Sequence, residues 1–145
     1  MAIKFIIDIE HQVIVSYVCG TVTYEELIAY HAKLKADTHF DPEFKVVMDF
    51  RDAIVQLSHE EIRNLASKSI YSPASYRALV ANDNVVFGQI RMFSAYIDLS
   101  QQVGNIKESH VLVFREVDKA IAWLGVPPKL VYSAFELLRV QGNQD

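Results

Sequence analysis

An α/β fold built on a mixed, mainly parallel sheet of four to five strands is what this sequence predicts, and three observations predict it. Residues 3–9 and 13–19 are apolar, β-branched runs separated only by Glu10-His11-Gln12, the pattern of an N-terminal hairpin. After them, apolar runs of strand length alternate with amphipathic stretches of helical period, the order that produces parallel strands flanked by helices. Two boxes, Thr23-Tyr24-Glu25-Glu26 and Ser58-His59-Glu60-Glu61, place a capping hydroxyl and a glutamate three residues apart, as a helix start requires.

In chain order, Gly20 is expected to close the second strand. The helix opened by Thr23 carries Tyr24, Leu27, Ile28, His31 and Leu34 on one face and should stop near Asp37, before the loop His39-Phe40-Asp41-Pro42. Residues 44–50 form the third strand, which should end in charge at Asp49, Arg51 and Asp52. Ser58 opens a helix bearing Ile62, Leu65, Ala66 and Ile70, broken by Ser72-Pro73. Residues 76–81 are the fourth strand, and Asn82-Asp83-Asn84 is its turn and the cap of a helix over 85–99. That helix has two apolar flanks, Val86, Ile90, Phe93, Ile97 and Met92, Tyr96, Leu99, wider than one sheet contact needs. Gly104-Asn105 is a turn, 110–114 a fifth strand, and 117–124 a short helix ended by Gly125 and Pro127-Pro128. Residues 1–126 thus form one domain. Residues 127–145 hold a C-terminal amphipathic helix, with Val131, Ala134, Phe135 and Leu138 on one face and Leu130 and Leu137 beside it, to pack on the domain or on a partner chain.

Composition narrows the function classes. A chain of 145 residues, 51% hydrophobic, with eight Phe and seven Tyr, buries one substantial core and is not disordered. The net charge is −4 and the basic residues are scattered, so nothing supports nucleic-acid binding. Cys19 is the single cysteine, which excludes an intramolecular disulfide, and its apolar run VIVSYVC marks it as a small buried hydrophobe. MAIKFIIDIE is not a signal peptide, and no run approaches the ~18 apolar residues of a membrane span. A cytoplasmic protein without stable membrane insertion is expected.

Four strings carry a family resemblance. They are Gly20-Thr21-Val22-Thr23-Tyr24-Glu25-Glu26, Val46-Val47-Met48-Asp49-Phe50, Arg77-Ala78-Leu79-Val80, and Val113-Phe114-Arg115 leading to Ala120-Ile121-Ala122-Trp123-Leu124. Their order and spacing over residues 3 to 125 resemble the STAS/SEC14 superfamily, and within it the SpoIIAA-like family of small bacterial proteins. The chain departs from the pattern in placing Ala78 one position early and Lys119 where an acidic residue is common. The resemblance implies a SpoIIAA-like sheet with helices but no single function. Relatives include phosphorylatable antagonists of anti-sigma factors, transporter domains and lipid-carrying modules.

Asp49, Arg51 and Asp52 fall at the expected carboxyl end of a strand, where ligands gather in open α/β sheets. Asp83 and Asn84 belong to the same edge, and Arg91, two turns into the next helix, offers a fork for a carboxylate or phosphate. The competing reading is an internal Asp–Arg pair with turn and cap residues. Ser58 sits where the resemblance places the switch serine of the antagonist branch, and a phosphate there would meet helix amides. Its context, Leu57-Ser58-His59-Glu60, departs from the D-S-[ST]-G pattern and equally suits a plain N-cap. The five histidines show no H-x-x-x-H spacing, and there is no nucleophile elbow or phosphate loop, so no catalytic residue, metal or cofactor is expected. The expectation is a non-enzymatic regulatory or binding module. It would present the carboxyl edge of its sheet to a protein partner or to a small apolar or anionic ligand, and self-associate through the 85–99 or C-terminal helix. The alternative is a carrier of a small apolar or lipid-like molecule in a pocket lined by Phe87, Met92, Phe93, Tyr96 and Phe135.

Overall fold

A computed structural model describes residues 2–100 and 110–143, the last three as helical backbone only. Strand β1 (Ile3–Asp8) pairs antiparallel with β2 (Val13–Val22) through a turn in which Gln12 adopts φ +55° and the Asp8 carboxylate accepts the His11 amide at 2.8 Å. From β2 onward the strands run in one direction: β2, β3 (Lys45–Val55), β4 (Arg77–Val80) and β5 (Val111–Phe114) are parallel, and the sheet order is β1-β2-β3-β4-β5.

The connecting helices are α1 (Tyr24–Ala36), α2 (His59–Ser67) and α3 (Asn84–Ser100). Strands laid down in sequence with right-handed crossovers put all three on one face of the sheet. There Ile14, Val18, Met48, Phe50 and Leu79 meet Leu27, Leu34, Leu65 and Ile90 in one core. After β5 the chain returns across the other face as α4 (Val117–Leu124) and α5 (Pro128–Asn143). The alternate strand residues Val13, Val15, Val47, Ala78 and Val80 bury against Ile121, Leu124, Val131, Phe135 and Leu138 in a second core. Both faces are covered, which is why the strands read as continuous apolar runs.

Both capping boxes form as their spacing requires. Glu26 N–H donates to Thr23 Oγ1 at 3.2 Å and Glu61 N–H to Ser58 Oγ at 3.1 Å, and each glutamate accepts the cap residue's own amide in return. Helix α1 ends at Asp37, and α4 spans the expected residues with Gly125 at φ +70° closing it.

Three expectations need correction. Gly20 does not close β2; at φ +73° it lies inside a strand that continues to Val22. The third strand does not end at its charges but runs on to Val55. Tyr17 stands opposite Asp49, yet Cys19 stands opposite Asp52, so β3 carries one extra residue, a bulge. Beyond it, pairing with β2 supplies backbone partners as far as Val22 and Val55, and Ala53 and Val55 still bury. Helix α2 stops at Ser67, five residues before Ser72-Pro73, so Ile70 is half-buried in a loop rather than on the helix face. The expected turn at Gly104-Asn105 lies outside the described residues.

Candidate functional site

The bulge decides where the charges of β3 go. Asp49 points to the α4/α5 face, where its side chain is 0% exposed. Arg51 folds back onto it, donating from its backbone N (3.0 Å), Nε (2.9 Å) and Nη2 (3.0 Å), a bidentate fork. From α5, Arg139 approaches Asp49 Oδ2 at 3.6 Å and Asp52 Oδ2 at 3.8 Å, with its guanidinium 5.6 Å from the centre of the Tyr17 ring. Tyr17 donates its hydroxyl to Asp52 at 2.6 Å; burial and that bond push its pKa up to about 12. Close by, Tyr132 of α5 donates to Asp118 of α4. Two arginines and two aspartates thus neutralise one another between the sheet and α5. The cluster fastens the last helix to β3.

On the opposite face lies a part-enclosed cavity of about 70 Å³ between the sheet and the three crossover helices. Its floor is Met48, Phe50 and Leu79, and Phe93 of α3 closes one side. Among the described residues, two polar side chains reach it. Gln89 is committed to the backbone: its Nε2 donates to Val55 O at 2.8 Å and its Oε1 accepts Leu57 N–H at 3.4 Å. Because β4 pairs no further than Asp49, the Gln89 amide takes the place of a neighbouring strand along the open edge of β3. The other is His31, whose pKa burial lowers to about 4, with the charge of Arg77 adding to the effect. The imidazole is therefore neutral at pH 7.

Beside this cavity runs a buried polar chain. Ser16 Oγ and Tyr30 OH lie 2.6 Å apart, and Tyr30 in turn bonds Tyr71. The Arg77 guanidinium sits 5.0 Å from the Tyr71 ring centre, with Nη1 donating to Ser69 Oγ at 3.3 Å. Burial pulls the Arg77 pKa down to about 10.

The remaining expected edge residues scatter. Asp83 caps α3, its Oδ2 accepting the amides of Val85 and Val86 at 3.0 and 3.1 Å, and Asn84 is the first residue of that helix. Arg91 is exposed in a shallow groove with Phe87, Ser94 and Asp98. It lies across the sheet from Asp49, because α3 packs on the Phe50 face and strand side chains alternate. Ser58 is exposed at the start of α2, on the order of 20 Å along β3 from Asp49. Of the expected lipid-pocket aromatics, only Phe93 lines the cavity; Phe135 belongs to the other core. The histidines disperse as well: His11 binds Asp8, His39 binds Asp37, and His110 stacks on Tyr76. Among the described residues no three metal-ligating side chains converge.

Sequence reasoning passed over Arg139, Tyr17, Tyr30 and Arg77. Tyr30 and Arg77 carried a signal, a polar-tipped side chain on the inner face of an element; Arg139 carried none, because its partners are ninety residues away.

The overall fold is similar to that of a solved structure. It is the crystal structure of an uncharacterised protein from the DUF3478 family, with a SpoIIAA-like fold, from Shewanella loihica PV-4. The TM-score is 0.52 over 85% of this chain and 94% of that one. The chain has a SpoIIAA-like fold. At 14% identity the likeness concerns the fold alone. No family model matches the sequence, and no curated protein matches it. Within the SpoIIAA-like framework the N-terminal hairpin, the mostly parallel sheet of five strands and the flanking helices stand as expected.

Proposed function

We propose that this SpoIIAA-like protein is a non-enzymatic binding module that takes a small apolar molecule in the cavity between the sheet and α1–α3. The observation that carries the reading is the lining: ten apolar side chains, one amide already bonded to backbone, and one neutral imidazole. Such a surface recognises by exclusion of water rather than by charge. The volume sets the ligand class. An apolar protein cavity of ~150 Å³ holds benzene, so about 70 Å³ favours a molecule of a few heavy atoms over a lipid. A lipid would require α2 or α3 to move away from the sheet.

The test is the shift in melting temperature with xenon, benzene and a short-chain alcohol, repeated on a Leu65→Phe variant that fills the cavity. Stabilisation of the native chain by at least one probe, lost in the variant, supports the reading. A native chain indifferent to all three overturns it.

A second reading, presentation of the carboxyl edge to a protein partner, is favoured by one feature. The β2–β3 ribbon projects beyond β4 and carries Ile54, 56% exposed, two residues from half-exposed Asp52. Ile54→Lys should abolish a partner contact there without lowering stability; a partner retained by that variant would refute it. No helix among the described residues is long and apolar enough to cross a membrane, and a cytoplasmic location belongs to this proposal.

A further inference from the structure

The two polar side chains of the apolar cavity differ in what they leave open. Gln89 has its Nε2 on Val55 O and its Oε1 on Leu57 N–H. The His31 ring has no hydrogen-bond partner among the described residues; it meets the Tyr30 ring, 5.3 Å between centroids, and feels the charge of Arg77. Arg77 stands just beyond the cavity floor, on the same face of β4 as Leu79 and about 7 Å along the strand from it. Arg77 is 3% exposed, and its Nη2 is buried without a partner. Asp98 of α3 offsets part of that charge, yet the guanidinium still holds His31 toward its neutral form.

We infer that His31 turns its ring N–H into the cavity and its lone pair toward Arg77, so that the ligand is a small carbonyl compound, apolar apart from one hydrogen-bond acceptor. This rests on the cavity being an apolar ligand site and names the chemistry of what enters it. A neutral imidazole carries one N–H and one lone pair, whereas a guanidinium is all donors. The cation therefore attracts the lone-pair end of the ring dipole and repels the N–H end. An N–H on the cavity side calls for an oxygen that accepts. A ketone or aldehyde supplies one and leaves no donor unpaired among the apolar walls; an alcohol would bury its own O–H there without a partner. A carboxylate would keep a full charge among ten apolar side chains, with Arg77 outside the lining. An alkylammonium would add a second cation, with no carboxylate among the described lining residues to receive it. Size narrows the class further. A cavity of ~150 Å³ holds benzene, so about 70 Å³ takes roughly three or four heavy atoms.

Acetone and isobutene test the inference, because they share a shape and differ in the carbonyl oxygen; 2-propanol adds a donor. Binding of each to the full chain is titrated by NMR at pH 7, and the nitrogen-15 resonances of His31 are read in the same samples. The native protein should show His31 in a single neutral tautomer, with its N–H moved by acetone and not by isobutene. In His31→Leu the affinity for acetone should fall at least about fivefold more than the affinity for isobutene. Isobutene binding in the variant checks that fold and cavity are kept, and the nitrogen-15 spectrum of the native chain needs no variant. An equal mixture of tautomers, or an acetone-to-isobutene ratio that His31→Leu leaves unchanged, overturns the inference while the apolar cavity stands. A loss confined to 2-propanol overturns it as well, since the lone pair would then face the cavity. A native chain that binds none of the three removes the cavity site and this inference together.

Discussion

Acidification from pH 7 to pH 5 should cost the folded protein about 2 kcal/mol through His31 alone. The imidazole has its ordinary value of 6.5 in the unfolded chain and about 4 in the cavity wall, lowered first by burial and then by the charge of Arg77. Between those values the unfolded chain holds the proton and the folded chain does not, so falling pH favours unfolding. The stability is fully present above the unfolded value and is lost progressively as pH drops toward 4. Integrating the two titrations between pH 7 and pH 5 gives a loss of about 2 kcal/mol. Urea unfolding of the native chain and of His31→Leu at pH 7, 6 and 5 isolates this contribution. Leucine suits the apolar wall and cannot take up a proton, while every carboxylate titrates alike in both proteins. The stability of the native chain relative to the variant should fall by about 2 kcal/mol across that range. A difference that stays constant with pH would refute a neutral, desolvated His31, and with it the electrostatic description of the cavity.

Asp49→Asn removes the fork to Arg51 and the attraction for Arg139, and should destabilise by about 2–3 kcal/mol. The loss stays below that of a fully buried pair because Arg51 and Arg139, 27% and 43% exposed, can turn to water. Combined with Arg139→Ala in denaturant unfolding, the two losses should sum to less than their separate values; strict additivity would mean that Arg139 does not act through Asp49. Ser58→Ala should cost about 1 kcal/mol by opening the α2 capping box, and Ser58→Asp should recover most of it because aspartate caps equally well. A thermal melt in which Ser58→Ala is neutral would remove Ser58 from the cap.

Much of the fold was legible because its causes are local. Thr23 with Glu26 and Ser58 with Glu61 are three residues apart, and the two helices start where those hydroxyls can reach the amides. Asp83 caps α3 for the same reason. The candidate site was far less legible. Asp49, Arg51 and Asp52 looked like the exposed end of a strand because three charges in four residues normally stop one. Here Arg51 neutralises Asp49 two residues away, and β2 lengthens alongside to supply ladder partners, so the strand continues. Ending α2 at Ser72-Pro73 misjudged the helix because no local signal marked its earlier stop at Ser67.

The sequence by itself determined the order of the elements, their helix starts, the alternation that covers both faces of the sheet, and the apolar stripe that docks α5. Each depends on residues within a turn or a few strand positions of one another. Only the tertiary structure decided that Arg139 closes on Asp49, that Arg91 and Asp49 face opposite sides of the sheet, and that His31 and Gln89 meet at one apolar cavity. Those outcomes depend on a one-residue bulge in β3 and on the side of the sheet each helix takes. A single inserted residue reverses the direction of every side chain after it while leaving the local hydrophobic pattern almost unchanged.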